Sequence, residues 1–248
     1  MTILSKCVAH WPLDSAETGG ITAETHGDTY TLVDRNTCST GTGVIGGCIY
    51  CTASSQEAVY WDDDSTDSDA FTLSAGRGFV IWAQTPGYFD SYTRRILTKR
   101  NQFELYRTGS AYSPDMKLKI TPASGGSTTV TVQSSLTTST WYMVYFAIND
   151  AGSAIVYSVN GAAKSSAGSF SGFAGKSTSY NVEFGAWSGT GDTTRYWDSL
   201  IDEATAFSAE LSDAELVSLY NSGSGLAYPF GGSSTITSEY YRRHLAEV

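Results

Sequence analysis

The chain has 248 residues, and 25 acidic against 15 basic side chains give it a formal net charge of −10. A chain of this length can bury a large hydrophobic core, and only 16% of its residues are charged, which excludes a charge-rich disordered protein. The acidic balance disfavours nucleic acid and anionic lipid as partners. No apolar run reaches the roughly 20 residues that cross a bilayer, so we expect no membrane insertion. The first residues also do not resemble a secretory signal.

Short apolar or alternating segments recur along the chain between clusters of Gly, Ser, Thr, Asn and Asp, a pattern typical of an all-β sandwich. The clearest strand is Trp141–Ile148, which is apolar at almost every position and is therefore predicted to be covered on both faces. A later strand ends at Asn160-Gly161, a dipeptide that favours a type I′ turn. Further strands are predicted at 7–11, 58–61, 78–84, 95–99, 103–107, 117–121, 128–133, 180–187 and 200–207.

One helix is predicted, and it lies late in the chain. Ser212 and Glu215 have the spacing of a capping box, and Leu211 and Leu216 that of a hydrophobic staple. We expect the helix to end at 221–223, where Asn and Gly favour a left-handed cap. The sequence therefore predicts one short C-terminal helix packed on a β structure.

After Gly223 the composition shifts to Gly and Ser, which divides the chain into a domain at 1–223 and an extension at 224–248. Near its end the extension contains an aromatic and basic run. Tyr and Arg are enriched at interface hot spots, so this run is a candidate docking arm, with a solvated tail as the alternative. The residues of the run are Tyr240, Tyr241, Arg242 and Arg243.

The order of several segments resembles the laminin G-like, concanavalin A-like jelly-roll domains. The segments are CVAHWPLD, FTLSAGRGFVIWAQT, ILTKRNQFELYRTG, WYMVYFAINDAGSAIVYSVNG, NVEFGAWSG and LIDEATAFSAELSDAELVSLYNSG. The resemblance runs from about Val8 to Ser222 and implies a two-sheet antiparallel jelly-roll sandwich. The superfamily includes lectins, adhesive modules, glycoside hydrolases and viral surface proteins, so the fold leaves the function open.

Catalysis is not expected. Glycosidases of this architecture resemble one another in a Glu-x-Asp-x-Glu strand, whose period of two places the carboxylates on one face. This chain lacks that strand, and its nearest acids, Asp202 and Glu203, are adjacent and point to opposite faces. We expect Asp202 to tie down a neighbouring loop instead. The histidines form no motif with a nucleophile, and no Gly-x-Ser-x-Gly elbow is present.

No cofactor is required by any motif, but an acidic run suggests calcium. Asp62, Asp64 and Asp67 concentrate oxygen ligands in a loop just after a predicted strand, and hard cations prefer such ligands. The run does not have the pattern of an EF-hand, so a site needs help from another loop, for instance at 149–150. A solvated acidic turn is the alternative.

The four cysteines, Cys7, Cys38, Cys48 and Cys51, are too few for a disulfide scaffold of this length. We expect buried free thiols. Cys48 and Cys51 have the spacing of half a zinc site, but on a strand they point to opposite faces, so zinc and a disulfide are the less favoured alternatives.

Two clusters are candidate ligand-binding sites. Arg94 and Arg95 lie close to Tyr88 in an otherwise acidic chain, and such a patch suits an anionic sugar or an acidic partner surface. The alternative is an edge hairpin whose basic side chains prevent aggregation. The second cluster surrounds a Gly-rich loop, where aromatic rings beside polar groups suit sugar rings, with core packing as the alternative. It consists of Trp187, Asp192, Arg195 and Tyr196.

These observations predict a non-catalytic recognition or structural module. A chain rich in Gly, Ser, Thr and Tyr and poor in Lys resembles proteins on bacteriophage particles. We therefore expect a virion surface component, in capsid decoration or in a tail or fibre, with other virion proteins or a glycan as partners. Whether it forms a homo-oligomer is left open. The alternative is a free, extracellular, calcium-assisted lectin, and a glycoside hydrolase comes third.

Overall fold

Two antiparallel sheets pack face to face in the computed structural model and enclose one large hydrophobic core. The structure describes residues 2–14, 21–22, 30–61, 71–176, 178, 180–187 and 193–230. The predicted all-β jelly-roll sandwich with a short C-terminal helix is confirmed. Within these ranges no helix is long and apolar enough to cross a membrane.

The described strands in chain order are β1 (Cys7–Trp11), β2 (Ile21–Thr22), β3 (Thr31–Arg35), β4 (Ser39–Thr42), β5 (Gly47–Cys51), β6 (Ala58–Trp61), β7 (Gly78–Gln84), β8 (Arg94–Lys99), β9 (Phe103–Arg107), β10 (Met116–Ile120), β11 (Thr128–Gln133), β12 (Trp141–Ile148), β13 (Ile155–Val159), β14 (Ser165–Ala167), β15 (Val182–Phe184) and β16 (Ser199–Phe207). The helices are α1 (Ile3–Lys6) and α2 (Asp213–Tyr220), with 3-10 turns at Ala53–Ser55, Thr193–Arg195 and Asn221–Gly223.

The first sheet has the order β14-β13-β12-β7-β16-β5-β4. The strand β5 pairs with residues 199–201 of β16, and β1 pairs with residues 204–207 of the same strand. The second sheet has the order β11-β10-β9-β8-β15-β6-β3-β2. In both sheets, alternate side chains point into the shared core or away from it. We call the side of each sheet that points away from this core its outer face.

The strand β12 is covered on both faces, as its sequence predicts. Val144 and Phe146 belong to the core between the sheets, whereas Met143 and Tyr145 belong to a second cluster on the outer face of the first sheet. That cluster also contains Leu216 of α2. The helix therefore lies on the outer face of the first sheet and buries its apolar side chains there.

The predicted capping box of α2 is present. The Ser212 hydroxyl accepts a hydrogen bond from the Glu215 N–H (3.3 Å), and the Glu215 carboxylate accepts one from the Ser212 N–H (2.7 Å). The helix ends at Asn221, which is left-handed with a φ of 46°. Asn160 and Gly161 also have positive φ, 54° and 68°, as a type I′ turn requires.

The packed part of the chain continues past the expected domain end at 223. Phe230 is buried in the cluster on the outer face of the first sheet, and the Tyr228 ring stacks on His10 with centroids 5.0 Å apart. The candidate docking arm lies outside the described residues. Its residues are Tyr240, Tyr241, Arg242 and Arg243.

Candidate functional site

Two clefts adjoin at one end of the sandwich. The first, of about 560 Å³, lies where β5, β7 and the start of β16 meet the loop before β8. Tyr50, Tyr88, Tyr92 and Asp198 are among its lining residues. Tyr88 is 66% exposed and Tyr92 is 48% exposed. The first cleft is thus bordered by aromatic rings that are open to solvent.

The second cleft, of about 580 Å³, lies on the outer face of the second sheet. Its floor is formed by β8, β9 and β10, and its wall by Trp187 and the 3-10 turn that ends at Arg195. Tyr92 and Thr194 line both clefts. A ligand that extends along the surface therefore passes from one cleft to the other beside Tyr92.

Strand register brings together the side chains on the floor of the second cleft. Glu104 lies opposite Lys119, and Tyr106 lies opposite Arg95. The neighbouring residues of β9, Phe103 and Leu105, belong to the core. Alternation along the strands therefore places one acid, two cations and one aromatic ring on the same outer face.

These floor residues form a connected set of contacts. The Arg95 guanidinium donates from Nε to Glu104 Oε2 at 2.9 Å, and Lys119 Nζ donates to Glu104 Oε1 at 3.0 Å. The Arg95 guanidinium also lies 4.9 Å from the centroid of the Tyr106 ring. Because two cations share one carboxylate, the floor carries an excess of positive charge.

The wall adds further cations around Trp187. The guanidinium carbons of Arg195 and Arg100 lie 4.1 and 5.0 Å from the centroid of its indole ring, within the range of cation–π attraction. The indole N–H of Trp187 is buried and has no hydrogen-bond partner among the described residues.

A buried ion-pair cluster supports the loop that separates the clefts. Asp90 accepts a hydrogen bond from Arg94 Nε (2.9 Å) and pairs with the guanidinium of Arg107, which is only 1% exposed. Burial alone would raise the pKa of Asp90, but the hydrogen bonds from the two arginines outweigh it and lower this pKa. Arg94 also donates to the Tyr196 carbonyl (3.1 Å). These contacts position the loop.

The sequence candidates separate into two groups in the structure. Tyr88, Arg95, Trp187 and Arg195 line the clefts. Two other candidates are buried: Tyr196, at 3% exposure, packs with Ala53, Ala58 and Ala186, and Arg94, at 7%, reaches the first cleft while tied to Asp90. Their side chains support the cleft walls and present little surface to a ligand. Asp192 lies outside the described residues.

Of the floor residues, the sequence pointed to Arg95 but not to Glu104, Tyr106 or Lys119. Glu104 and Tyr106 alternate with core residues in β9, and Lys119 alternates with core residues in β10. This alternation predicts an outward face for each strand. It does not reveal that the strands are neighbours in the order β10-β9-β8 and share one cleft.

The adjacent acids Asp202 and Glu203 line neither cleft. Asp202 Oδ2 accepts hydrogen bonds from the backbone N–H groups of Val44 (2.6 Å) and Ile45 (3.2 Å), so its predicted role of holding a loop is confirmed. Burial raises its pKa to about 7, although these N–H groups oppose the shift. Glu203 Oε2 lies 3.3 Å from the His10 Nε2 atom.

All four cysteines are free and buried. Burial raises the pKa of Cys7 and of Cys48 to about 12, so both thiols stay protonated at neutral pH. Cys38 has Cys51 as a side-chain neighbour. The calcium candidates Asp62, Asp64 and Asp67 lie outside the described residues, so calcium stays a prediction. The described part of the chain contains no group of three or more metal-ligating side chains.

The fold and the clefts define a β-sandwich with an exposed aromatic and basic surface at one end. The family model described as the concanavalin A-like lectin/glucanases superfamily matches residues 53–217. The chain belongs to this superfamily. No curated protein sequence matches the chain.

Solved structures show the same fold at low sequence identity. Domain 4 of the extracellular GH43 arabinanase AbnA from Geobacillus stearothermophilus, solved in complex with arabinotriose, is 14% identical. The match covers 86% of this chain and 97% of that one, with a TM-score of 0.61. The binding domain of Paraclostridial Mosquitocidal Protein 1 is 12% identical over 89% of this chain and 53% of that one, with a TM-score of 0.67.

The binding domain of botulinum neurotoxin serotype D is 15% identical, with a TM-score of 0.60. The match covers 89% of this chain and 52% of that one. The chain thus spans about half the length of these two toxin binding domains. At these identities the likeness shows the fold alone.

Proposed function

We propose that this protein is a non-catalytic carbohydrate-recognition module that holds an oligosaccharide along the two adjoining clefts. The observation that carries the proposal is Tyr92, a half-exposed aromatic ring that lines both clefts. Tyr88 adds a second exposed ring in the first cleft, and Trp187 lines the second cleft with the Arg195 guanidinium 4.1 Å from its ring centroid. Aromatic faces stack on the C–H faces of sugar rings, and a few polar groups beside them fix orientation and specificity.

The carboxylates in the clefts support a binding role over hydrolysis. Glycoside hydrolysis uses two carboxylates about 5–10 Å apart on either side of the scissile bond. Among the described lining residues, each cleft has one carboxylate, Asp198 in the first and Glu104 in the second. Both are engaged: Asp198 accepts from the Ala53 N–H (3.1 Å), and Glu104 pairs with two cations.

The structural relatives support the same class of ligand. The arabinanase domain of the same fold was solved with a bound oligosaccharide, and its match covers nearly that entire domain. The toxin relatives are binding domains. These likenesses support recognition of a carbohydrate or receptor surface, and the clefts of this chain supply the residues for it.

A glycan microarray followed by calorimetry tests the proposal. For the best array ligand, Tyr92→Ala is expected to weaken binding at least about tenfold, which corresponds to about 1.4 kcal/mol. Tyr112→Ala is the matched control, because Tyr112 is 97% exposed and lines neither cleft. Equal affinities for the two variants, or an array without any ligand, would overturn the proposal.

We also propose that the module acts on the surface of a bacteriophage particle, a role that its Gly-, Ser-, Thr- and Tyr-rich composition supports. Mass spectrometry of purified particles checks this: the protein is expected among the virion proteins. The free calcium-assisted lectin is the alternative. It predicts a protein absent from particles, whose glycan binding is lost when calcium is chelated.

A further inference from the structure

We infer, building on the proposed carbohydrate recognition, that the ligand is an anionic oligosaccharide. The second cleft takes an acidic unit, such as a uronic acid or a sulfated sugar, and the first cleft takes a neutral sugar ring next to it.

The charge of the second cleft favours an anion. Arg95, Lys119 and Arg195 line this cleft, and Glu104 is the one acid among its described lining residues. Arg100 adds a further cation on the Trp187 ring. The chain as a whole has a net charge of −10, so this surface departs from the overall charge. A local excess of cations in a cleft focuses the electrostatic potential on the ligand that enters it.

The basic groups are also held in place before a ligand arrives. Glu104 fixes Arg95 and Lys119 by hydrogen bonds, and Tyr106 and Trp187 hold the guanidinium planes of Arg95 and Arg195. The paired N–H donors of an arginine guanidinium match the oxygens of a planar carboxylate or a tetrahedral sulfate group. Side chains that are already ordered lose less conformational entropy on binding.

The first cleft has a different chemistry. Its cation, Arg94, is paired with Asp90 behind the cleft wall, and its carboxylate, Asp198, lies 3.4 Å from the Tyr88 hydroxyl. Its other lining residues include three tyrosines and several side chains with hydroxyl or amide groups. Such a lining suits a neutral sugar. Because both clefts adjoin at Tyr92, neighbouring units of one chain can occupy them together.

A paired glycan panel tests the inference. Each uronate-containing oligosaccharide is compared with its carboxyl-reduced form, and each sulfated one with its desulfated form, by calorimetry on the full chain. At least one acidic member is expected to bind about tenfold or more tightly than its neutral counterpart. The uronate and sulfate arms identify which anion the cleft prefers.

The charge variants locate the effect. The double variant Lys119→Gln with Arg195→Gln is expected to remove most of the preference for the acidic form, measured as the ratio of the affinities for the acidic and the neutral member of each pair. Lys117→Gln is the matched control, because Lys117 is on the outer face of the same strand but does not line the cleft. It is expected to retain the preference.

The outcomes separate this inference from the proposed function. If acidic and neutral forms bind equally and Tyr92→Ala weakens both, the anionic preference is wrong and carbohydrate recognition stands. If the acidic preference survives in the double variant, the second cleft is not the anionic site and the inference is wrong. If no member of the panel or of the wider array binds, both proposals fail.

Discussion

The outer faces of the two sheets have opposite characters. On the first sheet, Trp82, Met143 and Tyr145 form an apolar surface that α2 and the segment to Phe230 cover. On the second sheet, β8, β9 and β10 present charged and aromatic side chains around an open cleft. Both sheets contribute side chains to the core between them, so the core alone does not explain the difference.

This contrast assigns the outer face of the first sheet to the stability of the fold and the outer face of the second sheet to ligand recognition. A sheet face that is apolar must be covered, and the helix contributes to the fold by burying it. The polar face needs no cover, because its charges are paired or lie beside aromatic rings. It therefore stays accessible to a ligand. Substitutions on the two faces should accordingly change different measurements.

The largest expected effect lies in the ion-pair cluster behind the clefts. Asp90→Ala leaves Arg107, which is 1% exposed, without this carboxylate. Removing one partner of a buried pair costs about 3–5 kcal/mol, so urea unfolding should show a loss of that order. Asp115→Ala is the control, since its carboxylate accepts a hydrogen bond from the Ser135 N–H (3.2 Å). It should cost about 1 kcal/mol. Similar losses for the two variants would contradict the role of Asp90.

The second-largest effect on stability is expected on the outer face of the first sheet, which α2 covers. Leu216→Ala removes a fully buried side chain between α2 and the first sheet, and should lower the free energy of unfolding by about 3 kcal/mol. Glycan affinity should be unchanged under conditions where the variant is folded. Val217→Ala, at a position 58% exposed on the same helix, is the control; its effect should stay within about 0.5 kcal/mol. A loss of glycan binding in folded Leu216→Ala would break the proposed separation of the faces.

The pH dependence of the free energy of unfolding tests the raised pKa of Asp202. Its folded pKa is raised to about 7, above the ordinary value of an aspartate in the unfolded chain. The folded state thus binds the proton more tightly, and the contribution of Asp202 to stability falls as pH rises from about 4 to about 7. Asp202→Asn should remove this slope in urea titrations across that range. Asp213→Asn, at the exposed start of α2, should keep it. An unchanged slope in Asp202→Asn would contradict the assignment.

The smallest effect is expected at the rim of the first cleft. Tyr88 is more exposed than Tyr92 and lines only the first cleft. Exposed rim residues contribute less binding energy than central ones. Tyr88→Ala should weaken glycan binding about threefold by calorimetry, less than the tenfold loss expected for Tyr92→Ala. The reverse order would place the centre of the binding surface elsewhere.

Local patterns in the sequence predict much of this fold. The uniform apolarity of β12 indicates cover on both faces, and the capping box predicts where α2 begins. These inferences depend only on backbone periods and short-range hydrogen bonds. The predicted opposite orientation of Asp202 and Glu203 is wrong, because the register of β16 shifts between Asp202 and Thr205 and Glu203 has a φ of 47° there.

The site was less predictable because its contacts join residues distant in sequence. The pairing of Asp90 with Arg107 and of Glu104 with Lys119 depends on the strand order in the second sheet. No local pattern reports this order. The burial of Tyr196 depends in the same way on Ala53, Ala58 and Ala186 beneath it. Composition could suggest an aromatic and basic surface, but only the topology joins its parts.

Mapping of backbone amide shifts by NMR, as the best glycan is titrated into the protein, tests the central claim most directly. The account predicts that the perturbed amides cluster at Tyr92 and Thr194, where the two clefts meet, and at Arg95 in the second cleft, and that amides of α2 stay unchanged. Perturbations centred on α2 and the outer face of the first sheet would contradict it.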